Sequence, residues 1–216
     1  MESTTTSVID VREIGPNAVA IDLETPEGFA AEPGQFVKLT AVVDGEGQSR
    51  FYTISSPDAV DAFELTVSYD PDEGGSFSQR LLTLEEGDPI EIAGPFGSDY
   101  YEGEPRVVVL AGGPGVGPAV AIAERAIAEG DTAAVVYRDD APIHGNRLDA
   151  LAETADAEVF VLDADESLTE AVDAVLTNEG GEQVFVYGFA DFLADAEAAI
   201  EAAGGDPDAA KTENFG

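Results

Sequence analysis

The chain has 216 residues, no cysteine, a single histidine (His144), and 45 Asp plus Glu against 9 Lys plus Arg, for a formal charge of −36. Those counts exclude disulfides, zinc–cysteine sites, iron–sulfur clusters and multi-histidine metal sites carried by these residues, so any redox role needs a bound organic cofactor. The charge also argues against nucleic acid as a partner, and it describes a halophile-type surface, because at about 1 M salt the Debye length falls to roughly 3 Å and surface carboxylates barely repel one another.

High net charge alone would suggest disorder, but the apolar residues are patterned. Strands are predicted over residues 7–14, 18–23, 35–43, 51–54, 63–69 and 89–93, separated by Gly, Pro and Asp turns, with one helical piece over 76–84. Short strands with such punctuation predict a six-stranded antiparallel β-barrel over residues 1–98. From Arg106 the pattern changes. Buried strands over 107–111, 133–137, 159–162 and 184–187 alternate with helices over 118–129, 167–177 and 190–203. Alternation of this kind predicts a parallel sheet with crossover helices, an α/β domain over residues 106–216 reached through the loop 98–105.

Within the barrel, Arg50-Phe51-Tyr52-Thr53 puts three chemistries on one extended segment. A guanidinium clamps a phosphate, a phenol ring stacks on a flat heterocycle, and a hydroxyl bonds a ring nitrogen. Together they describe a flavin nucleotide; an ordinary half-buried strand also fits the segment. Gly74-Gly75-Ser76-Phe77-Ser78 then enters the short helix, where glycines and free N–H groups suit a pyrophosphate as well as a plain capped turn. Gly112-Gly113-Pro114-Gly115-Val116-Gly117-Pro118 links the first strand and helix of the α/β part, with Pro118 expected at the first helical position. Gly188 ends the fourth strand of that part, where parallel sheets bind ligands. Arg138 ends the second and is placed for the 2′-phosphate of NADP, whereas Asp139 and Asp140 would serve the ribose hydroxyls of NAD; of the two, NADP is the expected coenzyme. Arg50, Arg80 and Arg138 each lie in or beside such a motif; pairing with local carboxylates is the other use for them. His144 is expected in a loop.

In this order the motifs resemble the ferredoxin–NADP reductase superfamily over nearly the whole chain. The flavin signature Arg-x-Tyr-Ser/Thr is matched by Arg50, Tyr52 and Thr53, the loop Gly-Gly-x-x-Ser-x-x-Leu by Gly74, Gly75, Ser78 and Leu81, and Gly-Gly-x-Gly-x-x-Pro by Gly112, Gly113, Gly115 and Pro118; Gly94-Pro95-Phe96-Gly97 is the barrel exit. The resemblance implies that Arg50 binds flavin phosphate, Tyr52 stacks on the isoalloxazine, Thr53 bonds near its N5, and Ser78 meets the FAD pyrophosphate. It implies that Phe215, in the tail Glu213-Asn214-Phe215, covers the flavin face that nicotinamide must reach. The family often has Cys-Gly where this chain has Tyr187-Gly188. The implied activity is hydride transfer between NAD(P)H and FAD, then single electrons to or from a carrier such as ferredoxin. An electron-transfer subunit of a larger complex, a free-flavin or quinone reductase, and a nucleotide-binding regulatory module are the alternatives. No apolar run is long enough to span a bilayer and residues 1–6 lack the features of a secretory signal, so a cytoplasmic location is expected.

Overall fold

The computed structural model describes residues 3–69 and 75–216. The N-terminal part is an antiparallel sheet of six strands: β1 (Thr4–Gly15), β2 (Ala18–Glu24), β3 (Phe36–Val43), β4 (Glu46–Thr53), β5 (Ala62–Ser68) and β6 (Pro89–Phe96), ordered β4-β3-β6-β1-β2-β5. The Ile54–Leu65 bridge and the Ser55 N–H to Glu64 carbonyl bond (2.8 Å) draw the two edge strands together, curling the sheet into a barrel. Alternate residues fill it, among them Val37, Leu39, Phe63, Leu65 and Val67, all buried. The short helix α1 (Ser76–Leu81) turns Phe77 and Leu81 into the same core.

The strand expected at 51–54 is longer than its apolar stretch. It begins at Glu46, after a two-residue hairpin turn in which Asp44 and Gly45 both have positive φ (53° and 83°). Asp-Gly is the preferred pair for that turn, and the polar run Glu46 to Ser49 is carried as strand by pairing with β3.

The second sheet is parallel and has five strands: β7 (Arg106–Gly112), β8 (Thr132–Arg138), β9 (Ala157–Leu162), β10 (Glu182–Gly188) and β11 (Lys211–Asn214), in the order β11-β10-β7-β8-β9. Both faces of β7 are dry. Val107, Val109 and Ala111 pack with α2 (Val116–Glu129) and α3 (Gly145–Ala152), while Val108 and Leu110 pack with α4 (Thr169–Val175) and α5 (Ala190–Ala202). That is why β7 reads as a continuous apolar run rather than an alternating one. The chain runs outward from β7 to β8 and β9, then returns to the other side of β7 as β10, so the strand order reverses between β7 and β10. No helix among the described residues is long and apolar enough to cross a membrane.

Three details differ from expectation. A 3-10 turn, Gly113–Gly115, precedes α2, so Pro118 sits in the third helical position rather than the first. Its missing N–H costs nothing there, because the first turn has no intrahelical acceptor for it. α3 was unpredicted: it begins after His144, which adopts a left-handed conformation (φ 57°) with no side-chain cap. The tail forms β11, docked on β10 in parallel register.

The barrel and the α/β part share buried contacts. Ala18 of β2 belongs to the α/β core and Ile14 packs against it. His144 lies in the loop that enters α3, as expected, yet it is buried: it is 3% exposed, its N–H donates to the Ile14 carbonyl (3.0 Å), and its Nε2 lies 2.7 Å from Thr66 Oγ1 on β5. Burial holds this imidazole down at about 4, so it is neutral at neutral pH. Arg147 of α3 donates to the Ser55 carbonyl (2.7 Å) and Glu64 Oε1 (2.8 Å), and forks onto Glu124 of α2. At Gly117 a Cβ would lie 2.5 Å from Thr66 Oγ1, so only glycine lets α2 approach the barrel this closely.

Candidate functional site

A cleft of about 650 Å³ opens along the seam between the barrel and the α/β part, a size suited to a nucleotide-like ligand. Its barrel wall includes Arg50, Tyr52 and Thr53 from β4, Gly75 just before α1 and Ser78 within it; its other wall includes Pro118, Glu213 and Phe215. The sequence-predicted Thr53 and Phe215 thus meet at one cleft, and the tail is tied to β4 where Thr53 Oγ1 donates to Glu213 Oε1 at 3.0 Å.

Each wall has a local reason. Alternation along β4 turns Tyr52 toward α1, where its ring lies nearly parallel to Phe77 (20°, centroids 6.3 Å apart). Burial pushes the Tyr52 phenol up, opposed by its bond with the Ser78 hydroxyl. Thr53 points the other way and is 8% exposed, covered by β11. Arg50 is exposed, with its guanidinium carbon 5.9 Å from the Phe77 ring centroid and Nη1 donating to the Ser49 carbonyl (2.8 Å).

Arg50 stands apart from the other arginines. Arg12, Arg80, Arg106, Arg125, Arg138 and Arg147 each reach a carboxylate within 4.0 Å. Among the described residues no carboxylate pairs with Arg50. In a chain with five acids for every base, an unpaired guanidinium at the lip of a cleft is a standing anion site.

Glu213 is the residue the motif reading left without a role. Burial pushes its carboxyl up to about 7, against the lowering effect of the Thr53 hydroxyl, with Asp99 adding to the rise. The signal was present in the Glu-x-Phe tail, but only the pairing of β11 with β10 shows that it faces Thr53.

The remaining predicted residues cluster beside the cleft rather than in its wall. Gly112 and Gly188 end β7 and β10, flanking the reversal of strand order, where parallel sheets form a crevice. A Cβ at either would strike Phe192, at 2.5 Å and 2.7 Å, and a Cβ at Gly115 would collide with the Tyr187 carbonyl. These glycines therefore already have a packing role. Gly113 (φ 57°) is open, with only Asp139 and Phe189 within 4.0 Å of a Cβ there. Arg138 donates to Asp195 at 2.7 Å and stacks on Phe192 (5.3 Å), so its fork is engaged. Gly74 lies outside the described residues. Tyr187, at the position where cysteine is common in the family, does not reach the cleft: it is buried, its hydroxyl donates to the Asp99 carbonyl (3.3 Å), and its ring packs behind Phe215 (6.5 Å). Among the described residues no group of His, Asp and Glu is placed to hold a metal ion.

Comparison with known proteins places this geometry. Residues 6–101 match the family described as "Oxidoreductase FAD-binding domain". Among curated proteins, the chain is 32% identical over 118 residues to a probable dihydroorotate dehydrogenase B (NAD(+)) electron transfer subunit of Methanopyrus kandleri, covering 55% of this chain and 42% of that protein. The match thus spans less than half of that relative's length. Among solved structures, a ferredoxin NADP+ reductase from Neisseria gonorrhoeae, with bound FAD and NADP, superposes with a TM-score of 0.80 at 19% identity, covering 100% of each chain. The flavohem-like FAD/NAD-binding domain of nitric oxide dioxygenase from Vibrio cholerae superposes with a TM-score of 0.83 at 18% identity, covering 98% of each. At these identities the superpositions establish the shared two-domain fold.

Proposed function

We propose that this chain is a member of the ferredoxin–NADP reductase superfamily, an FAD-dependent oxidoreductase linking NAD(P)H to a one-electron carrier; the FAD-binding-domain match over residues 6–101 and the shared two-domain fold support the reading. The observation that carries the proposal is the seam cleft, where Arg50, which pairs with no carboxylate among the described residues, converges with the Tyr52 ring, the Thr53 hydroxyl and Phe215. In this reading residues 1–98 form the flavin domain and residues 106–216 the nucleotide domain.

The donor set fits the cofactor. A free guanidinium suits its phosphate, a parallel aromatic pair suits a flat ring, and hydroxyls at Thr53 and Ser78 suit polar ring edges and phosphate oxygens. Gly74 and Gly75 would let the pyrophosphate approach the backbone. Bound FAD supplies the conversion between a two-electron donor and one-electron acceptors, which no side chain here can perform. The chain contributes binding, orientation and shielding. Thr53 and Glu213 fix the floor of the cleft by their mutual hydrogen bond, and Glu213 holds a proton there below neutral pH. Phe215 keeps water from the inner face until the coenzyme displaces it.

Gly112, Gly113, Gly115, Pro118 and Gly188 border the crevice proposed for the pyridine nucleotide. Arg138 can hold a 2′-phosphate only by leaving Asp195, while Asp139 already lies beside Gly113; that observation favours NADH over NADPH. Anaerobic titration of the FAD-loaded protein tests both points. We expect NADH to bleach the flavin band at lower concentration than NADPH. No bleaching by either coenzyme would refute the activity, and a preference for NADPH would return Arg138 to the 2′-phosphate.

The acceptor is proposed to be a one-electron carrier of the ferredoxin kind, as the family resemblance implies; these 216 residues contain no cysteine to hold an iron–sulfur cluster themselves. A role as the electron-transfer subunit of a larger oxidoreductase is the second reading, favoured by the similarity to the M. kandleri subunit. A cytoplasmic, high-salt setting completes the proposal. Raising potassium chloride from 0.1 to 2 M should lift the melting temperature by about 10 °C, a gain of several kcal/mol in a chain of this size. A melting temperature independent of salt would contradict it.

A further inference from the structure

We propose that Phe189 holds Phe215 across the seam cleft, so that the two rings act as one gate on the path between the Gly113 turn and the Tyr52–Thr53 wall. Resting on the function proposed above, the gate is one for a nicotinamide ring. Phe189 opens α5 in an extended conformation and is 50% exposed, one of few large apolar side chains left in contact with solvent. Its ring meets Phe215 edge-on (89°, centroids 6.2 Å apart). A Cβ built on Gly216 would lie 3.2 Å from its ring, and one on Gly113 would lie 4.0 Å away. Phe189 therefore spans from the turn that opens α2 to the end of the tail. Both rings line the cleft, together with Pro114 and Pro118.

Phe215 is partly buried against the α/β core. Its N–H donates to the Gly188 carbonyl (3.0 Å), the Gly216 N–H donates to Asn214 Oδ1 (3.1 Å), and its other ring neighbour is the buried Tyr187. Tyr187 is buried, so the solvent-exposed partner of Phe215 is Phe189. A flat ring entering from the Gly113 side meets Phe189 first and cannot reach Thr53 without parting the pair.

Phe189 is thus a positioning residue, and its test does not depend on the cofactor. In flavin-free protein at high salt, Phe189→Ala should speed hydrogen exchange at the Phe215 amide by about three- to tenfold, the scale of one aromatic pair, while β10 amides stay unchanged. Phe189→Tyr should restore the slow rate. Unchanged exchange at Phe215 would overturn the pairing. In FAD-loaded protein, Phe189→Ala should lower the KM for reduced coenzyme by a similar factor, with flavin content and kcat moved less. Faster exchange with an unaltered KM would overturn the gating role. If wild-type flavin is reduced by neither coenzyme, the proposed function fails, while the exchange experiment still judges whether Phe189 restrains the tail.

Discussion

Replacing Arg50 with alanine is expected to raise the dissociation constant for FAD by about ten- to a hundredfold, the loss that follows from removing one charge-assisted contact worth about 1.5–3 kcal/mol. The size of the effect rests on what Arg50 lacks. An arginine already paired with a carboxylate must give up that partner before it can bind a phosphate, and part of the gain is cancelled. Arg50 spends nothing of the kind among the described residues; its polar contact is one bond to the neighbouring Ser49 carbonyl, and its guanidinium is packed near Phe77. Removing it leaves no buried charge behind, because the side chain is exposed. The melting temperature of the flavin-free variant should therefore match wild type, which separates loss of the ligand from loss of the fold. Arg138→Ala is the control: neither it nor its partner Asp195 lines the cleft, and FAD affinity should stay unchanged. Equal FAD affinity in wild type and Arg50→Ala, measured by fluorescence titration in high salt, would remove Arg50 from the site.

Glu213→Gln is expected to stabilise the flavin-free protein above neutral pH by about 2–3 kcal/mol and to leave it unchanged in acid. The folded carboxyl sits at about 7, above the ordinary value of 4.5, because burial in the cleft wall disfavours its charge. The folded state therefore binds the proton more tightly than the unfolded chain does. Relative stability is full below about 4.5, declines as pH rises through the interval, and is lost once pH passes 7. Glutamine keeps the hydrogen bond to Thr53 and removes the titration, so the difference between the two proteins should grow from zero to its full size across that window. Comparing variant with wild type at each pH cancels the titration of the many surface carboxylates. A difference that is constant with pH, measured by chemical denaturation at fixed high salt, would place Glu213 in water rather than in the wall.

What was legible in the sequence follows from how local each signal is. β7 and β8 announce themselves as apolar runs because both faces are buried, and the barrel strands announce themselves through alternation and turns. The order of the motifs then fixes which ends of which elements meet. The signals that failed are non-local. β11 is four residues with exposed Thr212 and Asn214, and only the neighbouring β10 makes it a strand. α3 lacks a capping side chain and begins at a residue in left-handed conformation, so its start carries no ordinary mark. The Asp44-Gly45 turn was a readable signal that the polar stretch after it concealed. His144 looked idle because its partners, Ile14 and Thr66, lie in the other half of the chain. The glycines at 112, 115 and 188 show the limit of motif reading: each has close side-chain or backbone neighbours that a Cβ would strike, whatever ligand lies beyond them.

The most direct test of the central claim is the visible spectrum of the chain in high salt after incubation with FAD and removal of unbound cofactor. Flavin retained in equimolar amount, with its bands shifted from those of free FAD by the Tyr52 wall, is the predicted result. A colourless protein that stays folded after the same treatment would contradict the assignment of the seam cleft as a flavin site.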